Sequence, residues 1–474
     1  MIEIPPLLIL LIGIVIVIGL IIFLRLNAFL ALITASIIVS LLAPGEFSEK
    51  ISRVAMAFGS TAGKIGIVIA LAAVIGRCLI ESGAADRIVQ WFVQLFGKKN
   101  CSVSLMSSGF LLSIPVFFDT VFYLLIPLAR SMHRRTKINY VLLVLAMGAG
   151  ASITHSLVPP TPGPLIMAET LGIDLGFMIA IGILVAIPAA IIIMFFIKYY
   201  SRRMDIPMRP VEGAEEESEP LPDDRLPGLL TSLLPIILPL LMISAHTIVS
   251  TLAKGAEITS GIKQAEEITA VLGNANLAML VSAIIALFVF YRQRRPKMKE
   301  FGKTVETSLM SGGIIILITS AGGAFGAMLK DAQVGPAIQA LFGNGADQQL
   351  GGTGLLFMSF LIASLLKFAQ GSTTVSMITT SAMIATMLPS PEVIGFHPVY
   401  IAAAIGFGAQ CGAWMNDSGF WIYAKMSGFT GMEAIKTWTV TLAVMAIDEQ
   451  KKVDEIPYDE LRQQLLRDGQ VLQQ

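Results

Sequence analysis

Four short polar stretches interrupt an otherwise apolar sequence: SIPVFFDT (113–120), HSLVPPTPGP (155–164), KFAQGSTTVS (367–376) and NDS (416–418). In or beside them lie two carboxylates (Asp119 and Asp417), a histidine (His155) and a lysine (Lys367). Around these are hydroxyls and amides at Ser113, Thr154, Ser156, Thr161, Gln370, Ser372, Thr373, Thr374, Asn416 and Ser418, with Phe118 beside Asp119 and a pliant backbone position at Gly371. This set can hold hydroxyl groups through neutral donors and acceptors, and it can pass a proton through a carboxylate or an imidazole.

An ionisable group inside apolar sequence is costly enough to be a functional candidate by default. Each also has a structural alternative. Asp119 can brace its own turn, His155 can be a satisfied donor, and Lys367 can pair with Asp119 or snorkel rather than counter a substrate carboxylate. As proton carriers the expected order is Asp417, Asp119, His155, because Asp417 lies inside a polar break.

The surrounding chain must position these groups. Of 474 residues 55% are hydrophobic and 14% charged, well below the roughly one quarter charged of globular proteins. The chain is therefore read as an all-α polytopic membrane protein. Apolar runs near 5–24, 26–43, 63–80, 138–158, 175–197, 226–249, 267–291, 305–329, 394–414 and 430–447 are each expected to cross a bilayer core of about 30 Å. The first carries Glu3 where a signal peptide has a basic region, and is read as a retained helix.

Net charge is zero, so nucleic acid is not an expected partner. Cys78, Cys101 and Cys411 show no paired spacing, so neither a disulfide framework nor a metal site is expected, and no cofactor is indicated. No Gly-rich phosphate loop points to ATP.

Basic clusters at 130–137, 198–209 and 292–303, with 77–99 as a fourth, are assigned to the cytoplasmic side, and 250–267 and 331–351 to the outside. Residues 101–128 then enter and leave on one side, and 353–389 on the other, so each is expected to be a re-entrant hairpin. Pro159, Pro160, Pro162 and Pro164 cannot lie inside a continuous helix. Backbone broken at membrane depth survives only when buried in protein or lining a wet cavity.

Laying Gly150 on Gly406 brings Gly163 onto Gly419, Ile166 onto Ile422, Ala168 onto Ala424 and Gly172 onto Gly428. The expected organisation is two inverted-topology repeats, each of about five transmembrane helices plus a hairpin, with broken helices near the midplane. Residues 1–200 form the N-terminal repeat (hairpin 101–128, break 150–164), 201–225 a cytoplasmic linker, 226–447 the C-terminal repeat (hairpin 353–389, break 406–419) and 448–474 a polar tail. That pattern belongs to secondary transporters.

The stretches IPVFFDTVFYLLIPLAR, GASITHSLVPPTPGPL, KFAQGSTTVSMITT and GAWMNDSGFWIYAKMSGFTGMEAIKTWTV resemble signatures of the gluconate permease family, within the ion transporter superfamily. The resemblance spans roughly residues 1–446 and leaves out the tail. It implies a gluconate:proton symporter of the inner (plasma) membrane with paired inverted repeats and re-entrant hairpins. One departure bears on substrate and pH dependence: the family often reads PPHPGP, and here Thr161 replaces that histidine.

The expected function is secondary active import of gluconate or a related sugar acid, by proton symport with alternating access. Another small hydroxylated anion (a glycerate, a hydroxy amino acid, a dicarboxylate) and sodium coupling stay open, as does a passive channel. So does the choice between monomer and homodimer; membrane lipid is the expected surrounding. An intramembrane aspartyl enzyme would need Asp119 and Asp417 adjacent, and the sequence sets them beside different tips.

Overall fold

The computed structural model describes residues 4–22, 24, 26–209, 225–255, 260–334, 337, 352–386, 388, 396–414 and 417–455. Every regular element among them is helical. The first half comprises α1 (Pro6–Ile22), α2 (Ala28–Leu42), α3 (Ser52–Glu81), α4 (Ala84–Phe96), α5 (Cys101–Leu112), α6 (Phe118–Thr136), α7 (Tyr140–Leu157), α8 (Pro162–Thr170) and α9 (Leu175–Ser201). The second comprises α10 (Leu229–Gly255), α11 (Ser260–Leu272), α12 (Ala275–Arg294), α13 (Met298–Asp331), α14 (Gly352–Gln370), α15 (Thr373–Ala385), α16 (Val399–Gly408), α17 (Ser418–Ser427) and α18 (Gly431–Ala434). A π-helical turn (Ile435–Thr439) then leads into α19 (Val440–Glu455).

Among the described residues six stretches are long and apolar enough to cross a bilayer: α3, α7 carried through to the end of α8, α9, α10 up to Ser250, α12 and α13. The remaining expected crossings, at 5–24, 26–43, 394–414 and 430–447, fall on shorter helices. Most of the linker 201–225 and most of the tail 448–474 lie outside the described residues.

Two expected loops are partly helical. Segment 77–99 contains the end of α3 and all of α4, turned at Gly83, whose φ of 74° suits glycine. Ala84, Ala85, Ile88 and Val89 make one buried face on α4, which packs against α5 and α10. Of the basic residues that suggested a loop, Arg77 lies near the end of α3, Arg87 lies on the amphipathic α4, and Lys98 and Lys99 follow it in a short turn. Likewise α11 occupies part of 250–267. In the first hairpin, α6 continues past 128 to Thr136, so Arg134 and Arg135 end a helix, where cations complement its dipole.

The packing is reciprocal. At one side α3 lies against α13, with α2 also on α13 and α12 also on α3. At the other, α5 packs on α7 and α14 on α16, so the first arm of each hairpin stays with the helix that follows it. The second arms exchange contacts across the halves as well: α6 packs against α17 besides α7, and α15 against α8 besides α13.

The close crossings rest on glycines. A Cβ at Gly109 would meet the carbonyl oxygen of Met147, one at Gly150 that of Met106, and one at Gly408 that of Phe360. Small residues allow this approach where lipid supplies no hydrophobic drive for helix association.

Candidate functional site

Each polar stretch ends one helix and starts another. In the first hairpin α5 stops at Leu112, and residues 113–117, with Pro115, turn the chain into α6. Phe117 is the N-cap of α6 and offers no side-chain acceptor, so the first-turn N–H groups beside Asp119 stay free of a side-chain cap. In the second hairpin Gly371 takes a left-handed φ of 78°, and Ser372 caps α15 through Oγ, which accepts from the N–H of Val375 at 3.3 Å. Ser376 ties the two arms by donating to the carbonyl of Ala363 at 2.6 Å.

The first break spans 158–161, with Pro159 and Pro160 in the gap and Pro162 and Pro164 in the first turn of α8, where no donor is required. Thr161 donates to the carbonyls of Val158 (2.7 Å) and His155 (3.0 Å), closing the loop on itself. In the second break Asp417 caps α17: its Oδ1 accepts from the N–H of Gly419 at 2.8 Å. Its Oδ2 accepts from Nζ of Lys367 at 2.6 Å, and Nζ also donates to the carbonyl of Gly371 at 3.0 Å. Lys367 is only 1% exposed. Its charge partner is thus Asp417, not Asp119, and it does not snorkel.

These ends meet around a cavity of about 200 Å³. Phe118 and Asp119 come from the first tip, Ser372, Thr373 and Thr374 from the second, His155 from the last turn of α7, and Asp417 from the second break. Asp119 makes no hydrogen bond or ion pair with the described residues. His155 keeps its Nδ1 buried and without a partner. Three helix N-termini, those of α6, α15 and α17, border this space. Such termini favour negative charge.

Other expected residues stand behind the wall. Thr154 donates to the carbonyl of Phe110 at 2.8 Å and thereby joins α7 to α5. Ser113 and Ser156 are buried with unpartnered hydroxyls, and Gly371 faces Lys367 through its carbonyl. Asn416 and the side chains of Gln370 and Ser418 lie outside the described residues.

The cavity also has walls that the sequence did not suggest: Phe117, Ser152, Ile315, Gly419, Trp438 and Leu442. Ser152 sits three residues before His155, a spacing that shares a helix face and was legible. Ile315 arrives from α13 and carried no signal. Trp438 lies in the π-helical turn, stacked on Tyr423 at 4.8 Å and on Phe118 at 5.5 Å. π-Turns recur at functional sites.

Asp119 and Asp417, set beside different tips in the sequence, line the same space, where α6 reaches across to α17. Sharing a cavity does not pair the two carboxylates side by side, as an aspartyl enzyme would require. What also argues against such an enzyme is that both oxygens of Asp417 are already engaged, one by Lys367 and one by the α17 N-terminus.

Residues 5–449 match the model of the family described as GntP family permease. The chain belongs to that family. A gluconate permease of Bacillus licheniformis is 28% identical over 447 residues, covering 93% of this chain and 97% of that protein. The low-affinity gluconate transporter of Escherichia coli (strain K12) is 30% identical over 423 residues, covering 88% and 91%. An uncharacterised permease of Haemophilus influenzae is 30% identical over 450 residues, covering 93% and 89%. The crystal structure of the Alcanivorax borkumensis YdaH transporter has a TM-score of 0.56 at 14% identity, covering 94% of this chain and 96% of that one, a likeness of fold alone. As a GntP permease the chain is a multi-pass membrane transporter and not an enzyme.

Proposed function

We propose that this permease imports gluconate or a related sugar acid across the plasma membrane by proton symport. The observation that carries the reading is the meeting of both hairpin tips, the last turn of α7 ahead of the first break, and the second break at one cavity, bordered by three helix N-termini and by a carboxylate, Asp119, with no hydrogen-bond or ion-pair partner among the described residues. The N-termini suit a substrate carboxylate. The hydroxyls of Ser152, Thr373 and Thr374 suit a polyhydroxylated chain.

Asp119 is the proposed proton carrier ahead of Asp417, because both Asp417 oxygens are already engaged, by Lys367 and by the α17 N-terminus. His155, with its buried unpartnered Nδ1, is the second candidate. The exchange of second arms and the mutual packing of α2, α3, α12 and α13 support two inverted halves, the arrangement that alternating access uses. Residues 1–200 and 226–447 are the proposed halves, 201–225 the linker and 448–474 the tail.

The test is uptake of a panel of labelled aldonates, glycerate, hydroxy amino acids and dicarboxylates into proteoliposomes, under an imposed pH gradient or an imposed sodium gradient. Accumulation of an aldonate driven by the pH gradient alone is expected. Preference for another anion, or accumulation that needs sodium, overturns the corresponding part.

A further inference from the structure

The surroundings of Lys367 invite a role beyond charge balance. An ammonium taken out of water costs several kcal/mol unless it is paired and hydrogen-bonded. Here two oxygens receive it: Oδ2 of Asp417 and the carbonyl of Gly371. The first belongs to the second helix break, the second to the second hairpin tip. Gly371 turns its carbonyl back toward Nζ through its left-handed φ of 78°, while its own N–H donates to the carbonyl of Lys367 at 2.8 Å. One carboxylate oxygen and one turn carbonyl are also the kind of ligand that a small hard cation takes.

We propose that the Lys367 ammonium is a resident cation, tethered where a free monovalent cation would otherwise have to bind, and that it holds the second hairpin tip to the second helix break while the permease works. The proposal rests on the reading of this cavity as the transport site. Its chemistry is a single positive charge bridging two oxygens, so a small free cation can stand in for it once the side chain is removed. The other ionisable groups within electrostatic reach of Lys367 are Asp119 from the first tip and His155 from α7. With Asp417 already neutralised, Asp119 is the carboxylate left for a mobile proton.

The experiment compares full-length wild type with Lys367→Ala, purified and reconstituted, in choline, sodium or n-propylammonium chloride at equal ionic strength. Two readouts are taken: the thermal unfolding midpoint in detergent, and exchange of the sugar acid that wild type transports. Wild type is expected to be indifferent to the cation. Lys367→Ala is expected to unfold at a lower temperature in choline and to lose exchange by roughly a hundredfold, the scale for a buried charge left unpaired. Sodium or n-propylammonium should restore both, and Lys367→Arg should need no rescue.

Absence of rescue overturns the proposal, whether the alanine variant proves active, inactive or unfolded in all three media. So does a sodium requirement in the wild type. The unfolding midpoint needs no substrate, so a wild type that transports no sugar acid would fault the functional reading and leave this one to stand or fall on its own.

Discussion

Lys64 on α3 and Glu169 near the end of α8 form an ion pair of 2.6 Å that fastens the broken helix to the helix pair α3–α13. The two side chains are 56% and 39% exposed, so water screens the pair and it contributes at most about 1 kcal/mol. If the proposed access cycle separates α8 from α3, Glu169→Gln should change the exchange rate by no more than about fivefold. The charge-swapped double variant Lys64→Glu with Glu169→Lys should return it toward the wild-type value. A hundredfold loss in Glu169→Gln that the swap does not repair would place Glu169 in substrate binding instead.

Asp119→Asn keeps size and hydrogen bonding but cannot cycle a proton. Gradient-driven accumulation should vanish while counterflow exchange persists. His155→Gln should shift the pH dependence of transport if the imidazole titrates during the cycle. Undiminished accumulation in both variants under a pH gradient alone would send the proton by another route.

Thr374→Ala removes a cavity hydroxyl without touching the α15 cap, which Ser372 supplies. The half-saturating substrate concentration should rise about tenfold to a hundredfold, since a substrate hydroxyl loses its partner in a desolvated place. Initial-rate kinetics at matched expression check this. Ser372→Ala is a poorer probe, because losing an N-cap costs about 1 kcal/mol by itself.

Gly150→Ala should lower the unfolding temperature of the purified protein, because the added methyl meets the backbone of Met106 and the helices must part. Overpacking of this kind costs about 1–3 kcal/mol. Gly59→Ala is the control: nothing lies within 4 Å of its Cβ position, so its melting should not fall, and the helix gain of about 0.5–1 kcal/mol of alanine over glycine should raise it slightly.

Much of the scaffold was legible because the interruptions are chemically explicit. Pro115, Pro159, Pro160 and Gly371 lie in the gaps between helices and Pro162 and Pro164 open one, positions that follow from local backbone chemistry. Yet Pro127, Pro188, Pro235 and Pro239 sit inside helices and show that proline alone does not fix a break. Helix α4 was hidden because basic residues before, within and after it read together as a cytoplasmic loop, and only the spacing of Ala84, Ala85, Ile88 and Val89 reveals the buried face. The ion pair of Lys367 and Asp417 spans 50 residues and depends on the hairpin tip folding back against the break. The meeting of Asp119 with Asp417 depends on α6, which packs on α7 of its own half, also reaching α17 of the other. No local pattern carries such a pairing, whereas Ser152 and His155 share a helix face and were within reach.

The exchange of second arms also constrains how the chain is made. Helix α6 emerges from the ribosome long before Ser418–Ser427, the element it packs against, and α8 long before α15. At roughly 5–20 residues per second, the early tip and break wait on the order of tens of seconds for their partners. During that time Asp119 and His155 have no finished cavity to enter, and the nascent half must keep them at the bilayer surface or shield them against other protein. The cavity itself is therefore complete only once translation has delivered the last helices.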